Sequence, residues 1–250
     1  MNGLKLPART FKPRSTGLTA ITDVGLSVPH VEAMLGDYAN FVDIAKLGVG
    51  SAYLTPRLAD KITTYRKFGV NVYFGGTLFE KFVHQQKLPE YVNNLKQLGI
   101  DWIEVSNGTI DLPLQERLAM IKHLRGDFTV LAEVGYKNNA KVMSSQQWID
   151  EIHALLEAGC KYVITEGRDS GTAGVYKPNG ELKQELIMDI LEHFDAARLI
   201  FEAPTQSAQM FFINCVSPQV NLGNVSLNDA LILECERAGL RSETFFMPEI

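Results

Sequence analysis

Cysteine is scarce. Cys160, Cys215 and Cys235 are the three in 250 residues, with no paired spacing and no histidine at zinc-site distance along the chain. That excludes a disulfide framework and a zinc finger, and the expectation is a cytoplasmic chain with reduced thiols, Cys160 and Cys215 serving as core fillers. Long apolar runs are lacking too: none reaches the roughly 18 residues that a membrane-spanning helix needs. Positive charge is in deficit, 24 Lys and Arg against 29 Asp and Glu, which argues against nucleic acid, whose binding requires a basic face to displace counterions. The first fifteen residues carry Lys5, Arg9, Lys12 and Arg14 but no apolar segment, so they read as a solvated N-terminal arm (1–15) rather than a secretory signal. No Gly-x-Gly-x-x-Gly follows the first strand, and no linker or composition shift divides the chain.

What the chain has is a repeat of short β-branched runs, each followed by a helical stretch. The runs are Leu18–Thr22, Phe41–Ala45, Val70–Phe74, Trp102–Ser106, Thr129–Glu133, Tyr162–Glu166, Leu199–Glu202 and Val220–Leu222. Helix starts are signalled at Thr55-Pro56, at Ser144-Ser145-Gln146-Gln147 and at Ser226-Leu227-Asn228-Asp229. After Ser144, the residues Trp148, Ile149, Ile152, Leu155 and Leu156 form one apolar stripe. Strands alternating with helices imply parallel pairing. Eight such units in 250 residues predict one domain, a single (β/α)8 barrel of the TIM type over 1–250, in place of an open doubly wound sheet.

In such a barrel, ligands bind at the C-terminal ends of the strands. Glu104, Glu133, Glu166 and Glu202 all fall at or near that edge, and period-two alternation puts Glu133 with Leu131, Glu166 with Ile164 and Glu202 with Ile200. If that face is the lumen, four carboxylates crowd one mouth, and like charges so close raise one another's pKa unless a cation intervenes. Either a divalent metal or nearby basic residues must compensate. Carboxylate oxygens without histidine or thiolate suit Mg²⁺. Lys46, Lys137 and Arg168 follow strands two, five and six and supply positive groups. Two glycine-bearing loops, Arg168 to Gly174 with Ser170 and Gly171, and Asn221-Leu222-Gly223-Asn224-Val225, offer backbone N–H groups for a phosphate or carboxylate. His84, His123, His153 and His193 have no metal-site spacing and read as surface or packing residues, and Lys61, Arg66 and Lys67 as a solvated helix face.

Several of these pieces form an ordered set: Lys12-Pro13-Arg14, Lys46-Leu47-Gly48-Val49-Gly50, Gly75-Gly76-Thr77-Leu78-Phe79-Glu80, Ser106-Asn107-Gly108-Thr109-Ile110, Glu133-Val134-Gly135, Glu166-Gly167-Arg168-Asp169-Ser170-Gly171, Ile200-Phe201-Glu202-Ala203-Pro204 and Val220-Asn221-Leu222-Gly223-Asn224. Collinear from about Thr10 to Phe245, the set closely resembles the phosphosulfolactate synthase family, here in a divergent, bacterial-type form. The resemblance implies a (β/α)8 barrel and Mg²⁺-dependent addition of sulfite to phosphoenolpyruvate. The product is (2R)-O-phospho-3-sulfolactate, an entry to coenzyme M in methanogens and to sulfolactate in bacteria. It implies Lys137 as the acid protonating C2, and Lys46 and Arg168 as holders of phosphate or sulfite. Glu104 acts beside them, the metal ligands come from Glu133, Glu166 and Glu202, and Ser106, Ser170, Gly171, Asn221, Gly223 and Asn224 lie on the substrate side. A homo-oligomer, such as a trimer, is also implied. The chain departs from the family pattern at Val24, where the usual Asp-Lys-Gly has lysine, at Tyr136 in place of a first lysine, and at Asn107 in place of aspartate. The family also holds plant heat-stress proteins, so a barrel that binds an anion or a partner without chemistry, or takes an altered substrate, is the alternative.

Overall fold

The computed structural model describes residues 3–138 and 140–248. Along the chain run β1 (Thr19–Asp23), α1 (Val28–Tyr38), β2 (Ile44–Leu47), α2 (Ser51–Leu54), α3 (Leu58–Lys67), β3 (Asn71–Phe74), α4 (Gly76–His84), α5 (Leu88–Gln97), β4 (Trp102–Val105) and α6 (Leu114–Leu124). There follow β5 (Thr129–Val134), α7 (Ser145–Ala158), β6 (Tyr162–Thr165), α8 (Gln184–His193), β7 (Leu199–Glu202), α9 (Gln206–Cys215), β8 (Leu222–Val225) and α10 (Ala230–Arg237). The strands are all parallel, in the order β3-β2-β1-β8-β7-β6-β5-β4, and make a nearly closed (β/α)8 barrel. No ladder joins β3 to β4 among the described residues, so one seam carries no strand-to-strand hydrogen bonds.

Each of the eight expected runs is a strand, with local shifts. Ala39–Phe41 form a 3-10 turn, so the second strand begins at Ile44. The last begins at Leu222, the first residue there with partners on both neighbours, Thr19 and Phe201. Ser144 makes the expected capping box with Gln147, and Ser226 caps the 3-10 turn ahead of α10. Thr55 does not start a helix: its hydroxyl donates back to the Ser51 carbonyl, ending α2, and α3 begins only at Leu58.

Two apolar layers result from the alternation. Inside the barrel, Leu18, Ala20, Ile44, Tyr73, Trp102, Leu131, Tyr162, Ile164 and Ile200 pack together. The alternate residues, such as Ile103, Val105, Val130, Val163 and Phe201, face the helices. Cys160 is buried, and burial pushes its thiol up to about 12, so it is inert filling; Cys215 is only partly covered.

Two expectations fail here. The N-terminal arm is docked beneath the barrel: Arg9 pairs with Glu234 at 2.9 Å, Lys12 donates to the carbonyls of Ala39 and Val42, and Arg14 pairs with Asp43 at 3.0 Å. Lys12 and Arg14 thereby satisfy two carbonyls and the buried Asp43 just ahead of β2. Lys61 is not solvated either. It is buried and pairs at 2.8 Å with Asp23, whose side chain also accepts from Tyr65 Oη and from the N–H groups of Gly25 and Leu26. Arg66 and Lys67, on the same helix, are exposed as expected.

Candidate active site

Above the lumen layer, the next inward position on successive strands is polar. Lys46 follows Ile44, Glu104 follows Trp102, Glu133 follows Leu131, Glu166 follows Ile164 and Glu202 follows Ile200, and all four glutamates are at most 2% exposed. One ammonium, Lys46 Nζ, lies 2.8 Å from Glu202 Oε1, and the other, Lys137 Nζ, lies 3.5 Å from Glu133 Oε1 and 3.6 Å from Glu166 Oε2. Glu202 Oε2 accepts from the Gly167 N–H at 2.8 Å and Glu166 Oε1 from the Arg168 N–H at 2.6 Å. Among the described residues, four carboxylate oxygens of the well accept no hydrogen bond: both of Glu104, Glu133 Oε2 and Glu166 Oε2, the last facing Lys137 at 3.6 Å. Room for Glu104 is made by Gly76, the first residue of α4; a Cβ there would fall 2.2 Å from Glu104 Oε1.

Two lysines against four glutamates leave an excess of negative charge, and proton uptake relieves it. Burial, with Glu133 adding to it and Lys46 opposing, pushes Glu104 up to about 8. Burial and the charges of Glu133 and Glu202 raise Glu166 as well. Burial acts the same way on Glu133, but Lys137 and Lys46, together with the hydrogen bond from Ser106, outweigh it and hold that group down at about 2. Burial would lower both lysines, yet the carboxylates around them hold Lys46 and Lys137 above the usual range.

A cavity of about 230 Å³ opens above this well, lined by Lys46, Thr77, Lys137, Arg168, Glu166, Glu202 and Asn224 among others. Three of its residues, Val49, Arg168 and Asn224, hold left-handed backbone, with φ of 53°, 61° and 54°. Such strain in non-glycine residues, above all a β-branched valine, is found where a site fixes its loops. Asn224 accepts from Thr22 Oγ1 at 2.7 Å and lies 3.5 Å from Lys46 Nζ.

The remaining expected residues divide. Ser106 is buried in the well and donates toward Glu133 Oε1 at 3.0 Å. Ser170 is exposed and bonded to Thr172, and Gly171 (φ 63°) makes a turn against Tyr176 and Pro204; neither lines the cavity. Gly223 packs against Ile200 in the lumen wall. Asn221 is a correction. It sits at the opposite end of the barrel, where its side chain accepts from the Leu18 N–H and donates to the carbonyls of Ala197 and Leu199, tying β1, β7 and β8 together. His84, His123, His153 and His193 are exposed. Sequence reading missed Thr22, Thr77 and Glu80; the last two share a helix face with Gly76 or stand next to it, a spacing that would have flagged them once Gly76 was placed at the well.

The donors fit a hard cation. They are carboxylate oxygens, several buried and unpaired, and carry a charge excess that a dication matches. Among the described residues, no three of His, Cys, Asp or Glu converge tightly enough to enclose an ion as they stand. An Mg²⁺ here would take one or two carboxylates and complete its shell with substrate oxygens and water, its usual habit.

The model of the family described as (2R)-phospho-3-sulfolactate synthase (ComA) matches residues 7–243 of this chain. The chain belongs to the phosphosulfolactate synthase family. Phosphosulfolactate synthase of Bacillus subtilis (strain 168) is 40% identical over 247 residues, 98% of either chain. That of Methanocaldococcus jannaschii is 37% identical, covering 92% of this chain and 94% of its own. A more distant relative, protein HEAT-STRESS-ASSOCIATED 32 of Arabidopsis thaliana, is 24% identical over 92% of this chain and 88% of its own. The YdjI aldolase of Escherichia coli K12 shares the barrel alone, with a TM-score of 0.54 at 12% identity, covering 87% of this chain and 77% of its own. As a member of the synthase family, the chain is a lyase-type enzyme. No helix of the described residues is long and apolar enough to cross a membrane.

Proposed function

We infer that the chain adds sulfite to phosphoenolpyruvate in a Mg²⁺-dependent reaction, giving (2R)-O-phospho-3-sulfolactate. One observation carries the reading: buried, unpaired glutamate oxygens lie under a cavity bordered by Lys46, Lys137 and Arg168, in a chain of this family. Both reactants are anions, and those three cations are the groups that would receive them. Arg168 and Lys46 hold phosphate or sulfite, with Asn224 orienting Lys46 from the side. The sulfur lone pair forms the bond to C3, the C2–C3 π electrons move to C2 and into the carboxylate, and Lys137 Nζ delivers its proton to C2. Lys137 is kept charged for that task by Glu133 and Glu166. Glu104, whose proton is retained to about 8, forms a second proton-bearing group on the floor. One or two of Glu133, Glu166 and Glu202 would hold the Mg²⁺, which when bound supplies Lewis-acid stabilisation of charge on the carboxylate. In the same reading, the enzyme works in the cytoplasm as a homo-oligomer on small anions.

Incubation with phosphoenolpyruvate, sulfite and Mg²⁺, followed by mass spectrometry, tests this. A new sulfonate product that disappears with EDTA is expected, as is loss of more than about 10²-fold in kcat for Lys137→Ala. Binding of either anion with no product would overturn the proposal in favour of an anion-binding barrel.

A further inference from the structure

The side chain of Glu80 reaches across the seam between β3 and β4, which has no ladder among the described residues. Glu80 projects from α4, the helix after β3, and is 1% exposed. Its Oε2 accepts from the N–H groups of both Thr109 and Ile110 at 2.7 Å, and its Oε1 from Ser106 Oγ at 2.8 Å. All three partners belong to the loop after β4. Where the backbone makes no bonds between the two strands, one carboxylate makes three.

That loop is the wall against which Lys137 rests. A Cβ on Gly108 would lie 3.0 Å from Lys137 Nζ and 3.1 Å from both Lys137 Cδ and Glu133 Oε1, so the backbone of Gly108 already stands near contact with the ammonium and its partner. An apolar cavity of about 620 Å³ borders Glu80, Thr109 and Ile110, with Tyr53, Leu54, Leu78 and Phe82 in its walls. The loop is therefore held by the three contacts of Glu80 together with the packing of Ile110 against the core.

We propose that Glu80 is a positioning residue of this enzyme: by anchoring the Ser106–Ile110 loop across the open seam, it sets where Lys137 presents its proton. The proposal rests on the assignment of Lys137 to proton delivery. Glu80 does not touch the reacting atoms. Its anchoring depends on three acceptor contacts and not on its charge. A glutamine can keep the geometry, its amide oxygen accepting from Thr109 and Ile110 while its NH₂ donates to Ser106 Oγ. That exchange also settles a conflict, because Ser106 has one hydroxyl hydrogen and two carboxylates, Glu80 and Glu133, within reach of it.

The test uses the full chain with Glu80→Ala, Glu80→Gln and Gly108→Ala, read in two ways. Competitive amine labelling with peptide mass spectrometry measures the exposure of Lys137, with Lys67 and Lys96 as internal controls. Labelling of Lys137 is expected to rise several-fold in Glu80→Ala and Gly108→Ala and to stay at the wild-type level in Glu80→Gln. In turnover, Glu80→Ala and Gly108→Ala should lose at least about tenfold in kcat with KM within about threefold, and Glu80→Gln should restore most of the rate. Gly108→Ala tests the contact between the loop and Lys137, and Glu80→Asp, one methylene shorter and expected to behave like Glu80→Ala, tests the anchor if Glu80→Ala fails to fold. Unchanged Lys137 labelling in Gly108→Ala, or equal impairment of the Gln and Ala variants at position 80, overturns the proposal. Absence of any turnover in the wild-type chain would remove the reaction proposed above, while the labelling result still stands or falls by itself.

Discussion

Lys46→Met is the perturbation that most directly examines the charge balance of the well. Lys46 Nζ is 2.8 Å from Glu202 Oε1, and Glu202 is 2% exposed. Methionine fills nearly the same volume, so the loss is electrostatic and not a cavity. Removing one partner of a buried ion pair costs about 3–5 kcal/mol, because the other charge remains desolvated and unpaired. For a chain of this length each kcal/mol moves the melting temperature by about 2–4 °C, so a drop on the order of 10 °C is expected at pH 8 without divalent ions. The stranded carboxylates can escape by binding protons, so the deficit should shrink when the melt is repeated at pH 5. Adding Glu202→Gln removes the orphaned charge, and the double variant should recover most of the loss. A single variant within about 1 kcal/mol of wild type at pH 8, or a double variant no better than the single, would show that the two groups are not coupled as described.

Other outcomes follow from the same geometry. Glu104 holds its proton to about 8 in the folded chain against 4.5 for a free side chain, so its contribution is complete at acid pH and is lost as pH rises between those values. Glu104→Gln should flatten the fall in stability across that window; an unchanged slope refutes the assignment. Because burial and the charges of Glu133 and Glu202 raise Glu166, Mg²⁺ held through its carboxylate should raise the melting temperature more at pH 8 than at pH 5, and equal shifts would count against carboxylate ligation. Gly76→Ala places a methyl group 2.2 Å from Glu104 Oε1 and is expected to abolish turnover, whereas activity close to wild type would mean that Glu104 does not need its position. Asn221→Ala should cost about 1–3 kcal/mol by stranding buried backbone groups at the closed end, with KM unchanged.

How much was legible in the sequence depends on the range of the forces involved. Strands announce themselves through β-branched runs, and period-two alternation put Glu133, Glu166 and Glu202 on one face with Leu131, Ile164 and Ile200; which of a strand's two faces is the lumen is decided by the closed barrel. The limits of strands are set by neighbours: Leu222 begins β8 because Thr19 and Phe201 are there to pair with it, which no local pattern records. Lys61 looked like any helix-surface lysine, and its burial depends on Asp23 across another element. Asn221 shares its strand's inward side with Gly223, but depth along the barrel, not facing, separates a tie from a ligand. Glu80 was visible within the Gly75-to-Glu80 motif, yet its role depends on a missing ladder that only the folded barrel reveals.

The docked arm has a practical consequence. Arg9 meets Glu234 of α10, and Pro7 lies against Gly239, so the two extremities of the described chain are stitched to each other under the floor of the barrel. A label placed on Arg9 or on α10 would therefore report on the face opposite the chemistry without reaching the cavity.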